Sequence, residues 1–228
     1  MTHILVIQTA LDEAFVCLSR EGSVVGERHC TERKDHAAFL HPAIRSLLQE
    51  AGLAPAAVDA VAVVEGPGSY TGLRVGMSCA KGLCFALSKP LVTLNTLDWM
   101  AASMPNGGHW TCPMIDARRM EVFTALYDGQ LHRVLDPAPL VLSPESFLDH
   151  LDARPILFFG SGSAKWKDIT LHSNARFPEW KPAATAAAAE MAWSRFLRSS
   201  FADLAYAEPY YGKAFHSTLK PGEASGDI

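Results

Sequence analysis

The sequence predicts an α/β protein of two lobes, with a mixed sheet in each lobe and a reduced second lobe. Strand-like and helical segments alternate along the chain, 49% of its 228 residues are apolar, and the opening strand pattern returns after residue 104. We expect the first lobe at residues 1–104, the second at 105–219, and a frayed tail at 220–228, where Pro, Gly and Ser occur.

The first lobe is expected to open with three strands joined by tight turns. The helix that follows should begin close to Pro42 or kink there, because proline lacks the amide hydrogen that a helix interior uses. The expected elements are strands at 3–9, 14–19 and 23–30, a helix around 40–51, a strand at 58–64, a helix at 71–87, a strand near 91–93 and a helix ending near 104.

The opening pattern returns when the chain is shifted by 108 residues. Four pairs of identical residues then coincide: Ile7 with Ile115, Glu13 with Glu121, Phe15 with Phe123, and Leu18 with Leu126. Two unrelated hairpins remain an alternative at this point. A duplication would give two lobes that each begin with a three-strand meander and carry helices, which is the plan of the actin-like ATPases and sugar kinases.

The second lobe shows fewer elements. After the strand–turn–strand at 116–127 we expect a strand near 131–135 and a short helix capped by Ser143, with Pro144 in its first turn. A buried strand at 155–159 then runs into Gly160–Ser163, and an alanine-rich helix should cover 185–197.

Composition excludes several classes of protein. A net charge of −4 gives no overall basic field that could hold nucleic acid without a partner. The five cysteines form no C-x-x-C pair and indicate buried thiols in a reducing compartment. Since the start shows no signal peptide and no apolar run could span a membrane, we expect a cytoplasmic protein.

The segment from Val61 to Leu87 is the most informative one. A buried strand ends in a glycine-rich loop that opens a helix, and such a helix start can hold an anion. The weak candidates for an anion site are Gly66, Gly68, Ser69 and Thr71. Because the Gly-Lys-Ser/Thr ending of a phosphate-binding P-loop is missing, a purely structural turn is the favoured alternative.

The helix after this loop has one face that is nearly bare of side chains. Small residues recur there every four positions: Gly72, Gly76, Ala80 and Cys84. Glycine inside a helix costs up to about 1 kcal/mol relative to alanine, so a closely packed neighbour is expected. That neighbour is either the chain's own sheet or a partner's helix, and the low share of charged residues favours the partner.

Catalytic residues are missing from the positions where this fold would need them. Actin-like phosphotransferases carry an acidic residue at the end of the first strand, and Gln8 stands there, followed by no glycine. Asp116 takes the matching place in the second lobe, and the nine histidines form no metal-binding pattern. We therefore predict no catalytic residue, cofactor or metal ligand.

Several segments resemble the TsaB family. They are ILVIQT at the start, HAAFLHPAIRSLL in the first helix, GPGSYTGLRVGMSCAKGLCFAL followed by PLVTLNTLDWMA, DARRMEVFTALYD in the second lobe, and AEPYY near the end. Two positions depart from the family pattern: Gln8 replaces the usual aspartate, and Gly212-Lys213 replaces the usual leucine–arginine pair.

The resemblance implies an actin-like fold without its own catalysis. TsaB proteins pair with the larger paralogue TsaD, which transfers threonylcarbamoyl to the adenosine next to the anticodon of tRNA, and the ATPase TsaE joins them. The resemblance also implies that the chain meets tRNA only through this complex, and that its first lobe pairs with TsaD or with itself. The interface residues expected on these grounds and from the bare face are Gly72, Arg74, Gly76, Met77, Ala80, Lys81 and Cys84.

Three other functions stay open on the sequence. A small-molecule phosphotransferase of the same fold is disfavoured by Gln8. A metallopeptidase would need a metal site, and a homodimeric structural protein would ignore TsaD.

Overall fold

The computed structural model describes residues 1–181 and 184–212, so the expected tail at 220–228 lies outside the described residues. Ten strands form two five-stranded sheets. The strands are β1 His3–Gln8, β2 Ala14–Arg20, β3 Ser23–Cys30, β4 Ala60–Gly66, β5 Leu91–Asn95, β6 Trp110–Asp116, β7 Glu121–Tyr127, β8 Arg133–Val141, β9 Ile156–Phe159 and β10 Ala175–Arg176. The helices are α1 His36–Glu50, α2 Tyr70–Leu87, α3 Thr96–Ser103, α4 Leu148–Leu151, α5 Ser163–Lys167 and α6 Thr185–Leu197.

The two sheets share one topology. The first has the order β3-β2-β1-β4-β5 and the second the order β8-β7-β6-β9-β10. In each sheet the first three strands form an antiparallel meander, and the last two strands run parallel to the first. The prediction of a two-lobed, duplicated, actin-like α/β fold is confirmed.

The strand register corrects the residue matches between the two lobes. Gln8 lies opposite Phe15 in the first lobe, whereas Asp116 lies opposite Val122 in the second. The connection in the second hairpin is therefore one residue shorter. The match of Ile7 with Ile115 agrees with this register. The three matches that follow the turn are wrong by one position. Val122, and not Phe123, is therefore the structural counterpart of Phe15.

Two predictions of helix starts were wrong. Helix α1 begins at His36 and contains Pro42 in its interior. Pro42 lies on the exposed side, and the buried stripe that includes Leu40 and Ile44 holds both halves of the helix on the sheet. Helix α4 begins at Leu148, and Ser143 does not cap it: its amide donates to Ser146 Oγ in the preceding turn.

The first sheet is covered on both faces. Helices α1 and α2 pack on one face, while α3 and α6 pack on the other. Helix α6 had been expected in the second lobe, yet its residues Ala188, Ala189 and Ala192 lie in the core of the first. Packing against the chain's own sheet decides this placement, because three small buried side chains let α6 lie close to the strands.

The residues that follow α6 also return to the first lobe. We call residues 199–212 the strap. The Ala202 amide donates to the Leu91 carbonyl at the edge of β5, at 2.8 Å. The Tyr210 amide donates to the Glu65 carbonyl at the end of β4, also at 2.8 Å. Residues 199–212 thus contact the first lobe, and the expected lobe boundaries stay a prediction.

Candidate functional site

A cleft of about 1540 Å³ separates the two lobes. The β1–β2 hairpin and the start of α2 line it from the first lobe, and the β6–β7 hairpin and the loop before α5 line it from the second. Because β1 and β6 are equivalent strands, Gln8 and Asp116 end at equivalent places beside this cleft.

Gln8 uses its side-chain amide inside its own hairpin. The residue is fully buried. Its Oε1 accepts from the Leu11 amide at 3.1 Å, and its Nε2 donates to the Glu13 carbonyl at 2.9 Å. A carboxylate could accept the first of these hydrogen bonds but could not donate the second. Gln8 therefore shapes the turn of its own hairpin.

Asp116 is engaged by a lysine of the same lobe. Its Oδ1 accepts from Lys165 Nζ at 2.5 Å and from the Arg118 amide at 2.6 Å. Partial burial acts to raise the pKa of Asp116, but the Lys165 ammonium and the Arg118 amide outweigh it and hold this pKa below its ordinary value. The carboxylate is ionised and paired within the lobe.

Close packing against other backbone segments of the chain accounts for the glycines in the loop before α2. A Cβ on Gly68 would overlap the carbonyl oxygen of Ala10, and one on Gly66 would overlap that of Tyr210. Ser69 caps α2, because its Oγ accepts from the Gly72 amide at 3.3 Å. The loop is thus a close-packed turn, while Thr71 lies exposed at the cleft. An anion site at Gly66, Gly68, Ser69 and Thr71 stays a prediction.

The bare face of α2 lies inside the first lobe. A Cβ on Gly72 would overlap the Thr9 carbonyl oxygen, and one on Gly76 would overlap Thr9 Oγ1. The Thr9 hydroxyl itself donates to the Gly72 carbonyl at 2.7 Å. The expectation that this face meets a partner was wrong, because β1 and the turn after it occupy the space. The buried residues concerned are Gly72, Gly76, Met77, Ala80 and Cys84.

Arg74 and Lys81, the other two expected interface residues, lie on one flank of α2 and contact the strap. Arg74 Nε donates to Tyr211 Oη at 3.0 Å, and its guanidinium lies 4.3 Å from the centre of the Tyr70 ring. Lys81 Nζ donates to the Ala207 carbonyl at 2.8 Å. Both side chains therefore help to hold the strap on the first lobe.

The opposite face of α2 is exposed, and sequence reasoning missed it. We call it the outer face, and it consists of Thr71, Ser78, Gly82, Phe85 and Ala86. The Phe85 side chain is 82% exposed, and no described atom apart from the chain neighbours and helix backbone of Gly82 comes within 4 Å of a Cβ built on that residue. The available signal was Gly82 itself, a glycine inside the helix that does not belong to the bare face.

The described residues hold no group of three or more His, Cys, Asp or Glu that could bind a metal ion. Burial raises the pKa of Cys79 and of Cys84 to about 11, so both thiols stay protonated at neutral pH. Within the same residues, no helix has the length and apolar character needed to cross a membrane.

Comparison with known proteins places the chain among relatives from several bacteria. The family profile described as "TsaD: tRNA N6-adenosine threonylcarbamoyltransferase" matches residues 26–149. The tRNA threonylcarbamoyladenosine biosynthesis protein TsaB of Bacillus subtilis is 34% identical over 73% of this chain and 74% of its own length. The protein of the same name from Escherichia coli is 30% identical, with the same coverage of 73% and 74%.

A solved structure from Pseudomonas aeruginosa, described as an uncharacterized protein with similarity to peptidase YeaZ, superposes with a TM-score of 0.81. It is 27% identical and covers 93% of this chain and 100% of its own. Identity above 30% to a named TsaB protein over more than two thirds of both chains shows the family, and the duplicated two-lobed fold agrees with it. The chain belongs to the TsaB family.

Proposed function

We propose that this chain is a non-catalytic subunit that pairs with a TsaD-type transferase in the transfer of threonylcarbamoyl to the adenosine next to the anticodon of tRNA. The outer face of α2 is the observation that carries the proposal. An ATPase of the TsaE type completes the proposed complex, and self-pairing through the same face is the form expected in the absence of TsaD.

The outer face has the composition of a helix-packing surface. Gly82 lies in the interior of α2, where glycine costs about 1 kcal/mol relative to alanine, and no described neighbour fills the space beside it. Ser78 and Ala86 are also small, so the backbone of a partner helix could approach closely at these three positions. Phe85 provides an exposed aromatic anchor beside them.

Helix α1 extends this surface. It packs beside α2 on the same face of the first sheet. Its exposed residues include Ala38, His41, Pro42 and Arg45, and of these four only Arg45 carries a permanent charge. The two helices together therefore present a broad area of low charge to solvent, and such surfaces mark protein–protein contacts.

The cleft supports the non-catalytic part of the proposal. The Gln8 amide is used by its own hairpin, and Asp116 is paired with Lys165. These are the two equivalent positions from which this fold would supply carboxylates to a metal–phosphate group. The names of the relatives support the pathway, since both are called tRNA threonylcarbamoyladenosine biosynthesis proteins.

Reconstitution tests the proposal directly. Unmodified tRNA and threonylcarbamoyl-adenylate are incubated with TsaD and TsaE of the same organism, with and without this chain, and the modified nucleoside is measured. We expect modification only when the chain is present, and no product from the chain without TsaD. Equal product in both mixtures would overturn the proposed function.

A further inference from the structure

The tip of the β6–β7 hairpin holds two consecutive residues in the left-handed region of backbone space. Arg118 has a φ of 70° and Arg119 a φ of 47°. This conformation costs a residue with a Cβ about 1–2 kcal/mol, whereas glycine adopts it freely. Strain of this kind at the edge of a cleft points to a role for the side chains concerned.

Neither side chain is packed into the fold, although the Arg118 charge acts on the nearby Asp116 carboxylate. Both arginines are exposed and line the cleft. Within residues 1–181 and 184–212, no hydrogen bond or ion pair engages either guanidinium, and the adjacent Asp116 carboxylate is taken by Lys165. Two permanent cations are therefore directed to the cleft.

Other groups make the cleft locally basic. Lys34 lines it from the first lobe and is exposed. The cations along the cleft are Lys34, Arg118, Arg119 and Lys165, against the carboxylates Asp12 and Asp116. This balance of four to two contrasts with a whole chain that carries a net charge of −4. An anionic ligand would thus be attracted here in preference to the rest of the surface.

We infer that the hairpin tip, together with Lys34 across the cleft, contacts the phosphate backbone of an RNA strand. The cleft volume of about 1540 Å³ exceeds the roughly 300–1,000 Å³ of ordinary small-molecule sites. Exposed cations at a cleft edge suit backbone phosphates, whose contacts position a strand without reading its sequence. The inference rests on the proposed function for the identity of the RNA, which is the tRNA being modified.

The test measures tRNA binding to the complex of this chain with TsaD at several salt concentrations. The variant is Arg118→Gly/Arg119→Gly, because glycine suits the left-handed backbone and preserves the hairpin. We expect affinity to fall on the order of tenfold, and the slope of log affinity against log salt to fall by about 1.4–1.8, or about 0.7–0.9 for each lost phosphate contact. A matched control, Arg20→Ala/Arg198→Ala, removes the same charge outside the cleft and should leave the slope unchanged.

Two results would overturn the inference. One is an unchanged affinity and slope in the glycine variant. The other is ATP binding to the chain that is lost in this variant while tRNA binding is kept, which would assign the cations to a small phosphate ligand. Failure of the proposed function is visible separately, because no complex with TsaD would then elute from size exclusion. The same tRNA titration on the isolated chain would then decide the RNA contact.

Discussion

Glycines in a single helix occupy two opposite environments. Gly72 has the Thr9 carbonyl where its Cβ would lie, whereas Gly82 has open space. The four-residue spacing of small side chains correctly marked a face of close approach. It could not tell which neighbour approaches, because Thr9 lies 63 residues away from Gly72 and reaches it only through the placement of β1.

The same substitution at these two glycines should have opposite effects. We expect Gly72→Ala to lower the free energy of unfolding by about 1–3 kcal/mol, since the Thr9 backbone must shift. Gly82→Ala should raise it by up to about 1 kcal/mol through helix propensity. Urea unfolding of both variants checks the two predictions. Changes of the same sign and size in the free energy of unfolding would contradict the assignment of one glycine to a buried face and the other to an exposed face.

Glu65 gives the stability of the protein a defined pH dependence. Burial raises the pKa of Glu65 above 4.5, although Thr93 and Arg195 act in the opposite direction. The unfolded chain therefore ionises first as the pH rises, and stability falls until the folded state ionises as well. Glu65→Gln removes this loss, so the variant should gain stability relative to the wild type as the pH rises from 4.5 through the raised pKa of Glu65. The free energy of unfolding of both proteins is measured in urea at a series of pH values. A difference between variant and wild type that stays constant with pH would refute this prediction.

Among the elements, α3 links the lobes through one carboxylate. Asp98 Oδ1 accepts from Tyr127 Oη of β7 at 2.8 Å and from Arg133 Nε of β8 at 2.9 Å. Its Oδ2 accepts from Arg133 Nη2 at 2.6 Å. A helix of the first lobe thereby holds two strands of the second.

Loss of this carboxylate should weaken the whole protein. We expect Asp98→Ala to cost about 2 kcal/mol, because Tyr127 Oη loses its partner in a largely buried place and Arg133 stays partly solvated. Asp136→Ala removes another carboxylate near Arg133, at 3.5 Å, but Asp136 is 86% exposed and its loss should change stability by less than about 0.5 kcal/mol. Thermal unfolding compares the two variants, and similar losses would contradict the role of Asp98.

Local sequence patterns predicted which helices and strands occur better than they predicted where those elements pack in the fold. The turn at Glu21-Gly22 placed β3 at its observed bounds, and the alanine-rich stretch placed α6 at Thr185–Leu197. The start of α1 was missed because buried side chains on both sides of Pro42 outweigh its local preference. The docking of α6 on the first lobe was missed because helix periodicity indicates which face is apolar and says nothing about which sheet covers it.

At the scale of the molecule, the fold was predictable and the surface was not. The return of a strand–turn–strand pattern after residue 104 was sufficient to predict two lobes, and the equivalence of Gln8 with Asp116 followed from it. Five of the seven expected interface residues lie on the buried side of α2, because spacing identifies small residues whether they face the core or a partner. Exposure, which distinguishes the two, comes from the tertiary structure.

Pairing with TsaD should depend on the outer face. We expect Phe85→Glu to abolish the complex on size exclusion and to reduce tRNA modification at least tenfold, since a charge would be buried at a helix-packing contact. Leu171→Glu is the matched control, because Leu171 is fully exposed and lies on a loop outside the outer face. Both variants should keep the wild-type melting temperature, and a Phe85→Glu protein that still pairs would exclude this face as the interface.

The strap and α6 also bear on how the protein is made. A nascent chain leaves the ribosome from its amino end, so the first sheet emerges with one face covered by α3 alone and with the β5 edge still open to water. Among the described residues, α6 and the strap complete this cover, and both are synthesised after the second lobe. The first lobe therefore cannot complete its core before α6 has been synthesised. Until then the second lobe lies beside a partly exposed apolar sheet. A chain released before α6 would present that sheet to chaperones and proteases, so fold completion itself acts as quality control on full-length synthesis.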